Sequence, residues 1–249
     1  MLRTDRRDAV LLCTLDRAEK RNALHPDLIQ ALASTLNQAG SDASLGVVVL
    51  TGAGNTFCSG LDLTHLASLG AEQKVAYLRS FFALFQQIYE LPQPVIAAIN
   101  GPAIAGGFDI AAACDLRLCS PAATFAQTEV SLGITQILYP VYKVIGLGRA
   151  KELALTGEPI AADDAQRIGL VNRVHPAESL VERAMQLAER LASRPRQALF
   201  ATKRLSRDLI ETNTEAAITR MFQDISERLR SDEHRREIQR YLAGLKQRQ

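Results

Sequence analysis

Two stretches of the chain, Val47-Val48-Val49-Leu50 and Val95-Ile96-Ala97-Ala98-Ile99, are apolar at every position rather than at every second one. A strand with one face in water alternates apolar with polar residues, so uninterrupted runs require strands buried on both faces. Sheets of that kind are covered by helices and are mainly parallel, because parallel neighbours need a crossover long enough to hold a helix. The intervening segments supply one. Residues 26–38 and 72–89 carry apolar side chains at helical spacing, with Pro26 placed to open the first and Gly40 to end it. Residues 9–15 read as a first strand and 116–119 as a shorter, later one. This alternation predicts an α/β fold.

From about residue 138 the chain changes character. Apart from a brief run at 169–174, it reads as helices at 148–155, 162–168, 177–193, 195–210, 214–230 and 232–246. No repeat or low-complexity linker interrupts it, so the reading is a core domain over 1–190 and a helical segment over 191–249. A length of 249 residues is ample for a buried core. The net charge of +2 gives no field for nucleic acid or an anionic membrane, so an anionic ligand must be caught by local groups. The charged start Met1–Asp8 leads into an apolar stretch too short for a secretory signal, and no run reaches bilayer-spanning length. The expectation is a cytoplasmic protein. Cysteines 13, 58, 114 and 119 lack metal-ligand spacing and read as small buried hydrophobes, so neither zinc nor a disulfide is expected.

Three segments can carry chemistry. Residues 51–63, TGAGNTFCSGLDL, follow a buried strand and are glycine-rich, leaving backbone N–H groups free. The third glycine of a dinucleotide fingerprint is missing. Residues 100–109, NGPAIAGGFD, follow the second strand and flow into the helix former Ile110-Ala111-Ala112-Ala113. A helix start of this kind presents unpaired N–H donors at the positive end of the helix dipole, suited to a developing oxyanion. Asp109 falls in that first turn, where a plain interaction with the helix terminus is the bland alternative. The third segment, 122–133, holds a single carboxylate, Glu129, which burial statistics alone would put at the surface. The residues by themselves thus give a candidate oxyanion hole and two acids, but no substrate.

Together these segments resemble the crotonase (enoyl-CoA hydratase/isomerase) superfamily, and the resemblance covers nearly the whole chain. It begins at LDRAEKRNAL, residues 15–24, continues through 52–63 and 100–115, and ends with Leu155-Thr156-Gly157 and Gly169-Leu170-Val171-Asn172. It implies a ββα spiral core with a C-terminal helical trimerisation segment, and a homotrimer or homohexamer. It implies an acyl-CoA substrate, with no metal and no cofactor beyond the coenzyme A of that substrate. Leu61 and Gly106 would supply the oxyanion-hole N–H groups, and Asp109 and Glu129 the acid/base pair. Arg21, Ala23, Cys58, Ser59, Gly60 and Asp62 would meet coenzyme A, with Arg17 and Lys20 as further basic candidates. The implied reaction is addition of water across a C=C bond. Enoyl-CoA or dienoyl-CoA isomerisation, or non-catalytic acyl-CoA binding, are the alternatives.

Two departures from the family pattern stand out. Asp109 replaces the hydratases' usual Glu, as in dienoyl-CoA isomerases, but the further acid of that branch is missing from Val130–Ile137. The loop Ile134-Thr135-Gln136-Ile137-Leu138-Tyr139-Pro140 is shorter than the hydratases' Pro- and Gly-rich one, which nominates Tyr139 and Tyr142 as walls of the acyl pocket.

Overall fold

The chain enters through a hairpin in which β1 (Leu2–Arg7) pairs antiparallel with β2 (Val10–Leu15), turning at Asp8 with φ 51°. The charged lead-in is therefore a strand itself. Its side chains past Leu2 are exposed, and charge along an outer edge discourages pairing with another chain. The computed structural model describes residues 1–208, together with 216, 221–223, 225–226, 231–233 and 236. The helices expected at 214–230 and 232–246 fall largely outside the described residues.

After β2, α1 (Pro26–Ser41) buries Leu28, Ile29, Leu32 and Leu36, and runs past Gly40 before Asp42 ends it. Next come β3 (Val47–Gly52), the short α2 (Leu63–Ser68), α3 (Ala71–Glu90) and β4 (Val95–Ile99). Every residue of β3 and β4 is buried, as their uninterrupted apolar runs require. Then follow β5 (Ala103–Ile104), α4 (Gly106–Ala113), β6 (Leu116–Cys119) and β7 (Thr124–Ala126). A 3₁₀ turn at Glu129–Leu132 precedes α5 (Val141–Thr156), which breaks at Gly146. Next are β8 (Ile160–Ala161), α6 (Ala162–Arg167), β9 (Arg173–Val174), α7 (Ala177–Ala192) and α8 (Arg196–Asp208).

The main sheet has the order β1-β2-β3-β4-β6-β9, parallel from β2 onward. A second small sheet, β5-β7-β8, was not expected, and it draws β8 from between the helices expected at 148–155 and 162–168. Strands of two or three residues are too short to show a period. The four cysteines are buried thiols. Among the described residues no helix is long and apolar enough to cross a membrane.

The chain divides into two compact units, Met1–Glu189 and Arg190–Gln249. In the second, the Glu233 carboxylate accepts from the Gln197 and Ala198 N–H groups at the start of α8, a favourable place for negative charge. The sheets and every residue of the site below belong to the first.

Candidate active site

Two crossing loops build the site. The chain leaving β3 is pinned by Asn22, whose side-chain amide donates to the Ala53 and Thr56 carbonyls. It then runs beside the start of β5. Cys58 bridges Ala103, the Cys58 carbonyl accepts from Ile104 N–H, and Leu24 N–H donates to Gly60. Gly60, at φ 86°, lies against the start of α4, where an added methyl group would sit 3.0 Å from the Gly106 nitrogen. Gly107 faces the Cys58 carbonyl so closely that any side chain would collide with it. The glycines are what let the two loops touch.

This contact sets two backbone donors side by side. Ala105 takes φ 52° and ψ −127°, a conformation a non-glycine residue rarely adopts, while its own N–H is fixed to the Ala126 carbonyl. Strain of this kind costs about 1–3 kcal/mol and needs its surroundings to enforce it. Its effect is to start α4 at Gly106. Among the described residues neither the Gly106 nor the Leu61 N–H donates to a protein acceptor, and both residues line one cavity of about 380 Å³.

Asp109 and Glu129 line the same cavity, Asp109 from the first turn of α4 and Glu129 from the 3₁₀ turn. Asp109 is 2% exposed. Burial, and then the neighbouring Glu129 charge, hold its carboxyl well above the usual carboxylate range, opposed by hydrogen bonds from Gln127 and Gln136. The Gln136 amide donates to Asp109 Oδ1 at 3.1 Å. Burial also raises Glu129, opposed by its own N–H, and its Oε2 is buried with no protein partner. Two such acids share protons, and the more deeply buried Asp109 keeps one longer.

The coenzyme-contact residues take different parts. Ser59 lines the cavity, its N–H bonded to the carbonyl of the exposed Arg21. Cys58 is buried, its thiol pushed up to about 12 by burial, so only its backbone is available. The Asp62 carboxylate caps α2 through His65 N–H and pairs with Arg17 at 3.0 Å. Burial raises it, but those two partners hold it below its ordinary value. Arg17 also donates to the buried Ala23 carbonyl. Arg17, Ala23 and the Asp62 side chain thus tie segment 17–24 to 59–62. Lys20 and Arg21 are exposed.

Tyr139 and Tyr142, nominated as walls of the acyl pocket, are not among the residues that line this cavity. The Tyr139 hydroxyl donates to that of Tyr89 at 2.9 Å, and Lys143 lies 4.5 Å from the Tyr139 ring centre. Tyr142 packs edge-on against Tyr139. From the same loop, Ile134, Thr135 and Ile137 do line it.

The chain matches the family described as enoyl-CoA hydratase/isomerase over residues 5–248. The chain belongs to that family. It is 39% identical over 201 residues to a Thermus thermophilus protein provisionally named an enoyl-CoA hydratase, covering 79% of each chain. It is 31% identical over 223 residues to a crotonyl-CoA hydratase of Syntrophomonas wolfei, covering 86% of this chain and 84% of that one. A Bacillus anthracis enoyl-CoA hydratase structure superposes with a TM-score of 0.95 at 32% identity, covering 98% and 96% of the two chains.

For this member of the enoyl-CoA hydratase/isomerase family, sequence reasoning missed the two amides and most of the apolar wall. Gln127 lies just past the end of β7, and the backbone turns at Thr128 into the 3₁₀ turn, so no strand alternation marked it as a neighbour of the acids. Leu63, Val75, Leu78 and Phe82 line the cavity yet remain exposed. On α3 the signal was a second apolar stripe at 75, 78 and 82, beside the core stripe at 77, 81, 84, 85 and 88. Nothing in the sequence marked Gln136.

Proposed function

We propose that this protein is an enoyl-CoA hydratase that adds water across the C2–C3 double bond of an acyl-CoA thioester. The observation that carries the reading is the convergence on one apolar cavity of two backbone donors without a partner among the described residues, the buried carboxyl of Asp109 and the half-buried carboxyl of Glu129. The thioester oxygen accepts from the Leu61 and Gly106 N–H groups, and the positive end of α4 favours negative charge there. Drawing electron density onto that oxygen makes C3 electrophilic. Glu129, the acid that ionises first, takes a proton from water as its oxygen bonds to C3. Asp109 releases its proton to C2 as the enolate returns to a thioester. One O–H bond of water and the Asp109 O–H bond break, C–O and C–H bonds form, and the proton on Glu129 later resets Asp109. Every step is made by protein groups and substrate.

The coenzyme lies along segments 21–24 and 58–62 in this reading, with Arg21 and Lys20 free to meet its phosphates. The protein acts in the cytoplasm as a homotrimer or homohexamer. The single chain leaves Leu147 and Leu155 of α5 exposed at 51% and 72%, which favours burial against another copy. Sedimentation velocity tests the oligomer.

The reaction is tested by following conjugated-thioester absorbance with a short 2-enoyl-CoA and, separately, a 3-enoyl-CoA. Loss with the first is expected. Gain with the second and no change with the first replaces hydration by isomerisation. Coenzyme A binding with no change in either leaves a non-catalytic binder.

A further inference from the structure

We propose that Gln136 is a positioning residue that makes Asp109 a usable acid, by donating to the carboxylate that Asp109 becomes as it gives up its proton. The proposal rests on the hydratase reading above and deepens it. The Gln136 amide nitrogen lies 3.1 Å from Asp109 Oδ1 and 3.1 Å from the Ile137 carbonyl, so the loop's own backbone aims the donor. Its Oε1 is buried with no protein partner, so the amide is held from the nitrogen side alone. Gln136 does not itself line the cavity, and it acts through Asp109.

A carboxyl this buried, facing a second acid, is hard to ionise. An acid that cannot ionise cannot deliver a proton. The groups around it leave few sources of relief. From α4 itself come Phe108, Ile110 and alanines, and from β5 Ala103 and Ile104. Across the cavity stand Glu129, which opposes ionisation, and Lys74 of α3, which is exposed to water. The Cys58 thiol beneath Gly107 stays neutral. What remains are the amides of Gln127 and Gln136. Gln136 belongs to the same loop as Ile134, Thr135 and Ile137, so this loop both walls the cavity and sets the acid.

A donor that strengthens as charge develops on Asp109 stabilises the transition state more than the ground state, so its loss appears in kcat rather than KM. It also favours the ionised form. Without it Asp109 stays protonated to higher pH, and the alkaline limb that reports its ionisation moves upward.

The test is Gln136→Met, close in size and without the amide, with Gln136→Leu as a second variant and melting curves to confirm folding. Expected are a fall in maximal kcat of about tenfold or more, KM within about twofold, and an alkaline limb about one pH unit higher. A uniform fall with the limb unmoved, or a change in KM alone, overturns the proposal. A second arm needs no turnover. Carboxyl ¹³C NMR, with the Asp109 signal assigned by its loss in Asp109→Asn, should show Asp109 titrating at higher pH in Gln136→Met. An unchanged titration also overturns the proposal. A wild type that fails to hydrate 2-enoyl-CoA contradicts the hydratase reading instead, and the NMR arm still decides the coupling.

Discussion

Gly60 lies against Gly106 so closely that a methyl group at position 60 would sit 3.0 Å from the Gly106 nitrogen. It would also lie 3.0 Å from the Ala105 methyl and the Ile104 carbonyl, none of which can yield without moving the start of α4. The positive φ adds strain of about 1–3 kcal/mol for any other residue. Gly60→Ala should therefore lower stability by that order and kcat by at least about tenfold, since one displaced oxyanion donor costs ~3 kcal/mol. Melting curves and steady-state rates measure both, and full activity would count against the Leu61–Gly106 hole.

Asp109→Asn should cut kcat by about 10²–10⁴-fold while making the protein more stable at neutral pH. The sign follows from the raised carboxyl. The native state holds a proton that the unfolded chain releases near pH 4, so stability falls as pH rises from there toward the native value. Asparagine removes that dependence. The variant should match wild type near pH 3.5 and melt a few degrees higher at pH 8, at ~2–4 °C per kcal/mol. Equal melting at both pH values would contradict an Asp109 proton held in the folded state.

The part of this architecture that could be read from the sequence is the part that burial dictates. The Val47–Leu50 run of β3 and the whole of β4 are apolar at every position because both faces are covered, and β4 and β6 have the bounds expected for them. β1 stayed hidden because an exposed edge strand has no apolar pattern to display, and the β5-β7-β8 sheet because its strands are too short. The glycine loops announced a close approach, but not that the two loops approach each other. Asp109 and Glu129 were singled out from the residues, and their role as an acid/base pair came from the resemblance. Their shared cavity, the amide on Asp109 and the packing of Tyr139 against Tyr89 all depend on where the 133–140 loop lies, and loop paths follow from tertiary contacts rather than local pattern.

Arg17 and Asp62 join segment 17–24 to α2 through a largely buried ion pair. Arg17→Met leaves the Asp62 charge with only its cap, so stability should fall by about 2–3 kcal/mol. The acyl-CoA KM should rise several-fold, with kcat changing less, because the coenzyme path is loosened while the acids stay in place. Asp62 is held below its ordinary value, so its contribution is present above that value and lost as pH falls through the native one. The wild-type stability advantage should therefore shrink in acid. A variant that lowers kcat alone would place Arg17 in the chemistry instead.

Tyr139→Phe removes the hydroxyl bond to Tyr89 and nothing that faces the cavity. It should cost about 1 kcal/mol of stability and leave the preference among acyl chain lengths unchanged. Phe82→Ala should shift that preference, since Phe82 lines the cavity. Competition between short and longer 2-enoyl-CoA substrates reads both variants. A shift with Tyr139→Phe and none with Phe82→Ala would restore the tyrosine wall.

The central claim, that the Leu61–Gly106 hole and the Asp109–Glu129 pair add water across a double bond, is tested most directly by turnover of a 2-enoyl-CoA in H₂¹⁸O with mass analysis of the thioester. The account predicts a 3-hydroxyacyl-CoA bearing one ¹⁸O on C3, formed by the wild type and lost in both Asp109→Asn and Glu129→Gln. An unlabelled double-bond isomer, or free acid carrying ¹⁸O in its carboxyl group, would contradict it.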